Sequence, residues 1–322
     1  MIWISDEWKD YEVLDTSNGE RLERWGKYIL VRPDPQVIWD TPHVDPGWKR
    51  YDARYIRSNT GGGHWSDHNL PDRWQIHYKD YLTFNVKPMN FKHTGVFPEQ
   101  AANWDFIRDK VASAGRPVRV LNLFAYSGGA TLAAAAGGAE VYHVDASKGM
   151  VAWAKENAQA SGLADRPIHW IVDDCGKFIQ REIRRGRRYD GIIMDPPSYG
   201  RGPSGEIWKM ETSFYPFLLE TAKLLTDNPL FVIINSYTTG LAPSAVGYAS
   251  DVVFGQNHGG HTAVGELGLP VKSTGIMLPG GSTGRWTPKV GGIPCLQQFL
   301  LNIWHTRIRA WTTRPISSFL RI

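Results

Sequence analysis

Cysteine is nearly absent from this chain: its 322 residues hold two, Cys175 and Cys295. Two thiols are too few for a disulfide framework or a cysteine-based zinc site, so the chain reads as a reduced, cytoplasmic protein. No apolar run reaches the ~20 residues that span a bilayer. The opening MIWISDEWKD also lacks the basic-then-apolar order of a secretory signal, and no membrane partner is expected. The histidines have no Asp, Glu or Cys at ligand spacing, and no metal is expected. Acids are missing altogether from residues 287–322, which carry five bases: Lys289, Arg307, Arg309, Arg314 and Arg321. Setting that tail aside lowers Lys plus Arg from 36 to 31 against 32 acids, which leaves residues 1–286 with a formal charge of −1. The sequence pI of 8.9 is therefore a property of the tail and says nothing about a nucleic-acid partner.

What the chain does have is a strand–turn–helix–strand pattern over residues 120–146, VLNLFAYSGGATLAAAAGGAEVYHVDA. Val118 to Phe124 is short and mostly apolar, as an internal parallel strand would be. Gly128 and Gly129 follow, where the backbone must turn tightly and approach a ligand. Thr131 to Ala136 favours helix, and Gly137-Gly138 ends it. A second strand, Glu140 to Val144, delivers Asp145 beside the turn, placed to accept hydrogen bonds from a ribose diol. A third, Ile168 to Val172, ends on Asp173-Asp174; a fourth, Tyr189 to Met194, ends on Asp195-Pro196-Pro197-Ser198-Tyr199. In doubly wound sheets ligands sit at the carboxyl ends of the strands, so the three acids converge on one crevice. The turn reads F-A-Y-S-G-G rather than G-x-G-x-x-G, with bulk where a pyrophosphate would lie, and this argues against a dinucleotide.

The segments LNLFAYSGG, HVDAS, VDDCGKF and MDPPSYG resemble motifs one to four of the class I S-adenosylmethionine-dependent methyltransferases, and more narrowly the family of 23S ribosomal RNA cytosine-5 and guanine-N7 enzymes. The upstream KHTGVFPEQAANW is similar to a segment that such enzymes place just before the fold, though Ala101 stands where the family often has arginine. The resemblance runs from about Trp25 to Trp286. It implies an α/β fold with a doubly wound, seven-stranded, mostly parallel Rossmann-like sheet, and S-adenosylmethionine as cofactor. By the same resemblance Tyr126, Ser127, Gly128 and Gly129 hold the methionine part, Asp145 the ribose and Asp174 the adenine. Phe124, Ala146, Ser147 and Cys175 stand beside them, Gln100 and Asn103 close over the cofactor, and Asp195, Pro196 and Tyr199 face the methyl acceptor.

The organisation expected is a polar, loosely docked leader over 1–24, a small β-rich subdomain over 25–92, a catalytic domain over 93–286, and a basic tail over 287–322 without its own core. Strands are expected at Lys27 to Val31, Val37 to Trp39, Trp74 to Tyr78 and Leu82 to Val86, with SNTGGGHWSDHNLPD as an exposed loop. Seven of the fourteen tryptophans fall within residues 1–80, where they either fill a small core or form a base-stacking surface. HGGH at 258–261 reads as a mobile lid over the acceptor cleft. Arg181, Arg184, Arg185, Arg187 and Arg188 form either a helix end that complements the dipole or a phosphate-contacting patch.

Chemistry is narrowed by the missing nucleophile. Cytosine-5 methylation needs a thiolate, yet Asn235-Ser236-Tyr237 and Ser198 occupy the positions where such relatives carry cysteine, and Cys175 lies on the cofactor side. Direct transfer to a nitrogen is expected instead, chiefly by orientation. D-P-P-S-Y resembles the D-P-P-T-F of guanine-N7 relatives, which points to a purine ring nitrogen of ribosomal RNA. A protein or small-molecule acceptor, or a cofactor-binding protein without turnover, are the alternatives; oligomeric state is not legible.

Overall fold

The computed structural model describes residues 1–58, 62–66, 68–201 and 207–289. The basic tail from residue 290 onward lies outside them. The chain begins with β1 (Ile2–Ile4), then builds a five-stranded sheet from β2 (Tyr11–Ser17), β3 (Glu20–Trp25), β4 (Tyr28–Pro33), β5 (Ala53–Arg57) and β6 (Gly63–Trp65), paired in that order. A hairpin of β7 (Trp74–Tyr78) and β8 (Leu82–Val86) completes the N-terminal part. Asn18 and Gly19, both at positive φ, turn β2 into β3, as a two-residue hairpin demands.

The rest is a layered α/β unit. Its strands are β9 (Arg119–Leu123), β10 (Glu140–Asp145), β11 (Ile168–Val172), β12 (Gly191–Met194), β15 (Phe231–Ser236), β16 (His261–Pro270) and β17 (Met277–Thr287). Between β12 and β15 lies a small hairpin, β13 (Tyr199–Arg201) with β14 (Ile207–Lys209). The helices are α1 (Ala101–Ala112), α2 (Gly129–Ala136), α3 (Lys148–Ala160), α4 (Cys175–Arg184), α5 (Met210–Ala222) and α6 (Pro243–His258). Sheet order is β1-β16-β17-β15-β12-β9-β10-β11, with β17 antiparallel to both neighbours and every other pairing parallel. β12 and the inner positions of β9 are buried, which explains the apolar run of β12 and the largely apolar one of β9, where Asn122 is satisfied by Thr131.

Several expectations are corrected here. Among the described residues the sheet has eight strands rather than seven, because β1 adds to the edge beside β16. Residues 1–24 are therefore no loose leader: they hold β1, β2 and most of β3, and Val13 and Leu22 are buried. Val37 to Trp39 is not a strand; its carbonyls instead receive the Asn18 and Gly19 amides of the β2–β3 turn. Residues 258–261 are not a lid, because they form the tight connection from α6 to β16. His261 pairs with Thr287, beyond the amino-terminal end of β15 and away from its carboxyl end at Ser236. Trp25 is fully buried in the core, Trp8 packs edge-on against Tyr11, Tyr78 and Trp104, and Trp39, Trp65 and Trp74 are partly buried against the same cluster. One apolar cluster joins the two parts, with Trp25, Leu30, Ile76 and Phe84 meeting Trp104, Leu132, Ala158 and Leu278.

Candidate functional site

The site forms where β9, β10 and β12 end. After Leu123 the backbone enters the left-handed region three times, at Phe124 (φ 56°), Tyr126 (φ 50°) and Gly128 (φ 92°). Non-glycine residues held there store strain, and the surrounding hydrogen bonds fix them. Phe124 N donates to Cys175 Sγ at 3.3 Å, Ala125 N to the Val144 carbonyl at 3.1 Å, and Tyr126 N to Asp145 Oδ2 at 2.8 Å. Gly129 has no room for a side chain, since a Cβ would stand 2.5 Å from the Trp104 ring.

Asp145 takes Tyr126 N on one oxygen and Ser147 N, at 2.8 Å, on the other. Burial raises its pKa while those two amides oppose the rise. Each oxygen keeps a second lone pair, enough for a ribose diol. Asp174 caps α4 through Lys177 N at 2.9 Å, and Ser147 caps α3 through Met150 N at 3.3 Å. Cys175 is buried, and burial pushes its thiol well above the usual range.

Three clefts meet at Phe124. One, of about 710 Å³, is lined by Ala146, Asp174, Cys175, Pro197 and Trp208. A small one, of about 50 Å³, runs along Gln100, Tyr126, Ser127, Gly128, Gly129 and Asp195. The third, of about 590 Å³, holds Tyr126, Asp145, Asp195, Pro196 and Tyr237. Phe97, Phe124, Tyr126 and Asp195 belong to both of the last two. An elongated ligand with a nucleoside end and a charged amino-acid end fits this layout: a wide recess beside Asp174, a diol acceptor at Asp145 and a glycine turn.

Asp195 and Asp145 share one cleft, whereas Asp174, expected with them in a single crevice, lines the neighbouring one, and other candidates lie apart. Asn103 is buried behind the site, bonded to Gln100, Asn235, Thr283 and Arg285. Ser147 lines none of these clefts, and Tyr199 is 52% exposed on β13. Sequence reasoning missed Glu99 and Tyr237. Tyr237 OH donates to Glu99 Oε1 at 3.1 Å and accepts from Gln100 Nε2 at 2.8 Å. The only signal for Tyr237 was its place just after β15. Asp195 titrates unusually high, at about 7, first because it is desolvated and then because Glu99 stands near. Glu99 is itself raised by burial, and its Oε2 has no hydrogen-bond partner among the described residues.

The arginine cluster is mostly committed to structure. Arg181 pairs with Asp173, Arg185 bonds Glu182 at 3.0 Å, and Arg187 donates to Tyr142 OH at 2.8 Å. Arg184 lines the Asp174 cleft. Among the described residues there is no cluster able to hold a metal, and no helix is long and apolar enough to cross a membrane.

Fold and site together define a class I methyltransferase, and comparison with known proteins agrees. Residues 51–209 match the family model for S-adenosylmethionine-dependent methyltransferases. The crystal structure of the S-adenosylmethionine-dependent methyltransferase from Agrobacterium tumefaciens is 37% identical, with a TM-score of 0.84 over 90% of this chain and 94% of that one. Ribosomal RNA large subunit methyltransferase K/L of Shewanella frigidimarina is 30% identical over 155 residues, 48% of this chain and 21% of the relative. Ribosomal RNA large subunit methyltransferase K of Neisseria meningitidis is 34% identical over 132 residues, 40% of this chain and 37% of the relative. The chain therefore spans well under half the length of these curated relatives. It belongs to the S-adenosylmethionine-dependent methyltransferase family, and its cofactor is S-adenosylmethionine.

Proposed function

We propose that this enzyme methylates a base of RNA, ribosomal RNA foremost, by direct in-line transfer to a nitrogen of a purine ring, and that it works in the cytoplasm. The observation that carries this reading is the shared cleft, in which Asp195 and Pro196 stand with Asp145 and Tyr126 while the flat rings of Phe97 and Tyr237 lie alongside. The names of the K/L and K relatives supply the RNA.

Tyr126 to Gly129 with Gln100 hold the amino-acid end of the cofactor, Asp145 the ribose, and Asp174 with Cys175 flank the adenine. Bound there, S-adenosylmethionine supplies an electrophilic methyl group on a sulfonium. The chain's own contribution is orientation. Asp195 and the Pro196 carbonyl accept hydrogen bonds from the acceptor base, and its ring lies against Phe97 and Tyr237. Among the described residues Cys175 is the only thiol, and it is buried, raised in pKa and bonded to Phe124 N. Among the described residues, covalent attack on cytosine C6 has no nucleophile in this cleft.

The test is incubation with tritiated S-adenosylmethionine against total RNA, protein and small-molecule fractions, followed by calorimetry. Label should enter RNA. Asp145→Ala should lose cofactor binding, whereas Asp195→Ala should keep it and lose transfer. Label confined to protein or small molecules would overturn the RNA assignment.

A further inference from the structure

Methyl transfer as described leaves part of the acceptor cleft without a role. The N-terminal sheet and the segment after β8 contribute Arg21, Gln36, Lys92 and His93 to its lining. Lys92 is held from two directions. Arg32 clasps Glu23 at 2.5 and 2.8 Å and donates to the Lys92 carbonyl at 3.0 Å, while Lys92 Nζ donates to the Pro33 carbonyl at 3.2 Å. A lysine serving only solubility would be left to solvent; this ammonium is tethered inside a cleft.

Its charge is not neutralised there. Arg21 lies 3.2 Å from Glu23 and 3.4 Å from Asp34, and Glu23 is also claimed by Arg32 and by Tyr11 OH at 2.6 Å. Arg21 and Arg32 thus take up Glu23 and Asp34, Glu99 also stands in the field of both arginines, and among the described residues no carboxylate pairs directly with the Lys92 ammonium. Lys92 responds accordingly: burial and then the field of Arg21 push its pKa down to about 8. An ammonium destabilised in this way gains from an arriving anion.

The same cleft then presents rings and four carboxyls, Asp34, Glu99, Asp145 and Asp195. His93 stands 5.1 Å from Phe97, and Phe97 stands 5.5 Å from both Tyr126 and Tyr237, with Asp195 on the same lining. A nucleotide has this distribution of chemistry, an anionic phosphate, a flat base, and polar ring atoms at its edge. We propose that Arg21 and Lys92 form an anion subsite for the phosphate of the acceptor nucleotide, so that the N-terminal sheet selects which base reaches Asp195. This deepens the RNA reading above and rests on it.

The test uses the full chain and Lys92→Met, with Lys92→Arg as rescue, in binding a fluorescent single-stranded RNA oligonucleotide across a salt series. Loss of one phosphate contact lowers the slope of log K against log salt by about 0.7. In transfer assays the loss falls on KM for RNA, by roughly tenfold, rather than on kcat. Affinity for S-adenosylmethionine stays at the wild-type value, the thermal transition falls only by what the lost Pro33 contact costs, and Lys92→Arg restores the slope. An unchanged slope and KM in a folded Lys92→Met that still methylates RNA overturns the subsite alone. Wild-type protein that neither binds nor labels RNA, yet binds the cofactor, overturns the RNA reading and the subsite with it.

Discussion

At the scale of single residues the decisive group is Asp195, whose ionisation at about 7 places its charge change within the working pH range. In the role proposed for it Asp195 accepts hydrogen bonds from the acceptor base in its ionised form, so kcat/KM should rise with pH and level off above that value. Glu99→Gln removes the second cause of the shift but leaves the first, burial. The acid limb should therefore move to lower pH by roughly half a unit, read from a pH–rate profile. An unmoved limb would mean that the two carboxyls do not sense each other. The same raised pKa has a cost in stability. The unfolded chain loses the Asp195 proton from about pH 4 upward, the folded chain only near 7, so folding stability falls across that window. Asp195→Asn should stabilise the apoprotein by an amount that grows between those two pH values, to about 1–2 kcal/mol, measured by denaturation at each pH.

Among the elements, the strands beside the site were legible, as were β7 and β8, whose bounds match the expected runs. Strands β9, β10, β11 and β12 are short apolar runs ending in a glycine turn or an acid, a signal contained within each segment. Part of what escaped notice depends on contacts distant in sequence, although the β2–β3 hairpin, also unforeseen, is local. Three residues, IWI, give no periodicity, and β1 exists only because the β16 edge accepts it. Tyr237 and Glu99 likewise meet across 138 positions. Asn103 was read as closing over the cofactor from a motif alone, and only packing shows its amide facing Asn235 and Thr283. β1 also does more than add an edge. α1 has no cap from Gln100; instead Ser5 Oγ, just past β1, accepts from Ala102 N at 3.0 Å and donates to the Glu99 carbonyl at 2.7 Å. Ser5→Ala leaves both buried groups unpaired and should cost about 1–2 kcal/mol by chemical denaturation. It should also weaken cofactor binding, because Gln100 sits between those two contacts.

The whole molecule unites what the sequence divides. Composition separates a tryptophan-rich β part from an alanine-rich, glycine-punctuated α/β part, and the expected boundary near residue 92 follows that change. Burial ignores it. Phe84 of β8 is fully buried and packs against Trp8 of the N-terminal segment and Trp104 of α1, with ring centroids 6.1 and 5.0 Å away. Trp153 of α3 donates to the Asn85 carbonyl at 2.8 Å, and Asn157 of the same helix binds both Asn85 N, at 2.9 Å, and the Ser127 carbonyl of the glycine turn, at 2.9 Å. A core shared in this way does not melt in parts. Calorimetry of the full chain should show one transition for the described body, with equal calorimetric and van't Hoff enthalpies. Phe84→Ala, on the N-terminal side, should lower that single transition by about 3–5 kcal/mol and should not split it. Two resolved transitions, with only the earlier one moved by the substitution, would show that the β part is a separate module. The acceptor cleft would then be assembled by docking rather than by folding. If the single transition holds, the glycine turn, Asp145 and the Lys92 wall are set by one folding event, and damage to the β part reaches the cofactor site through Asn157.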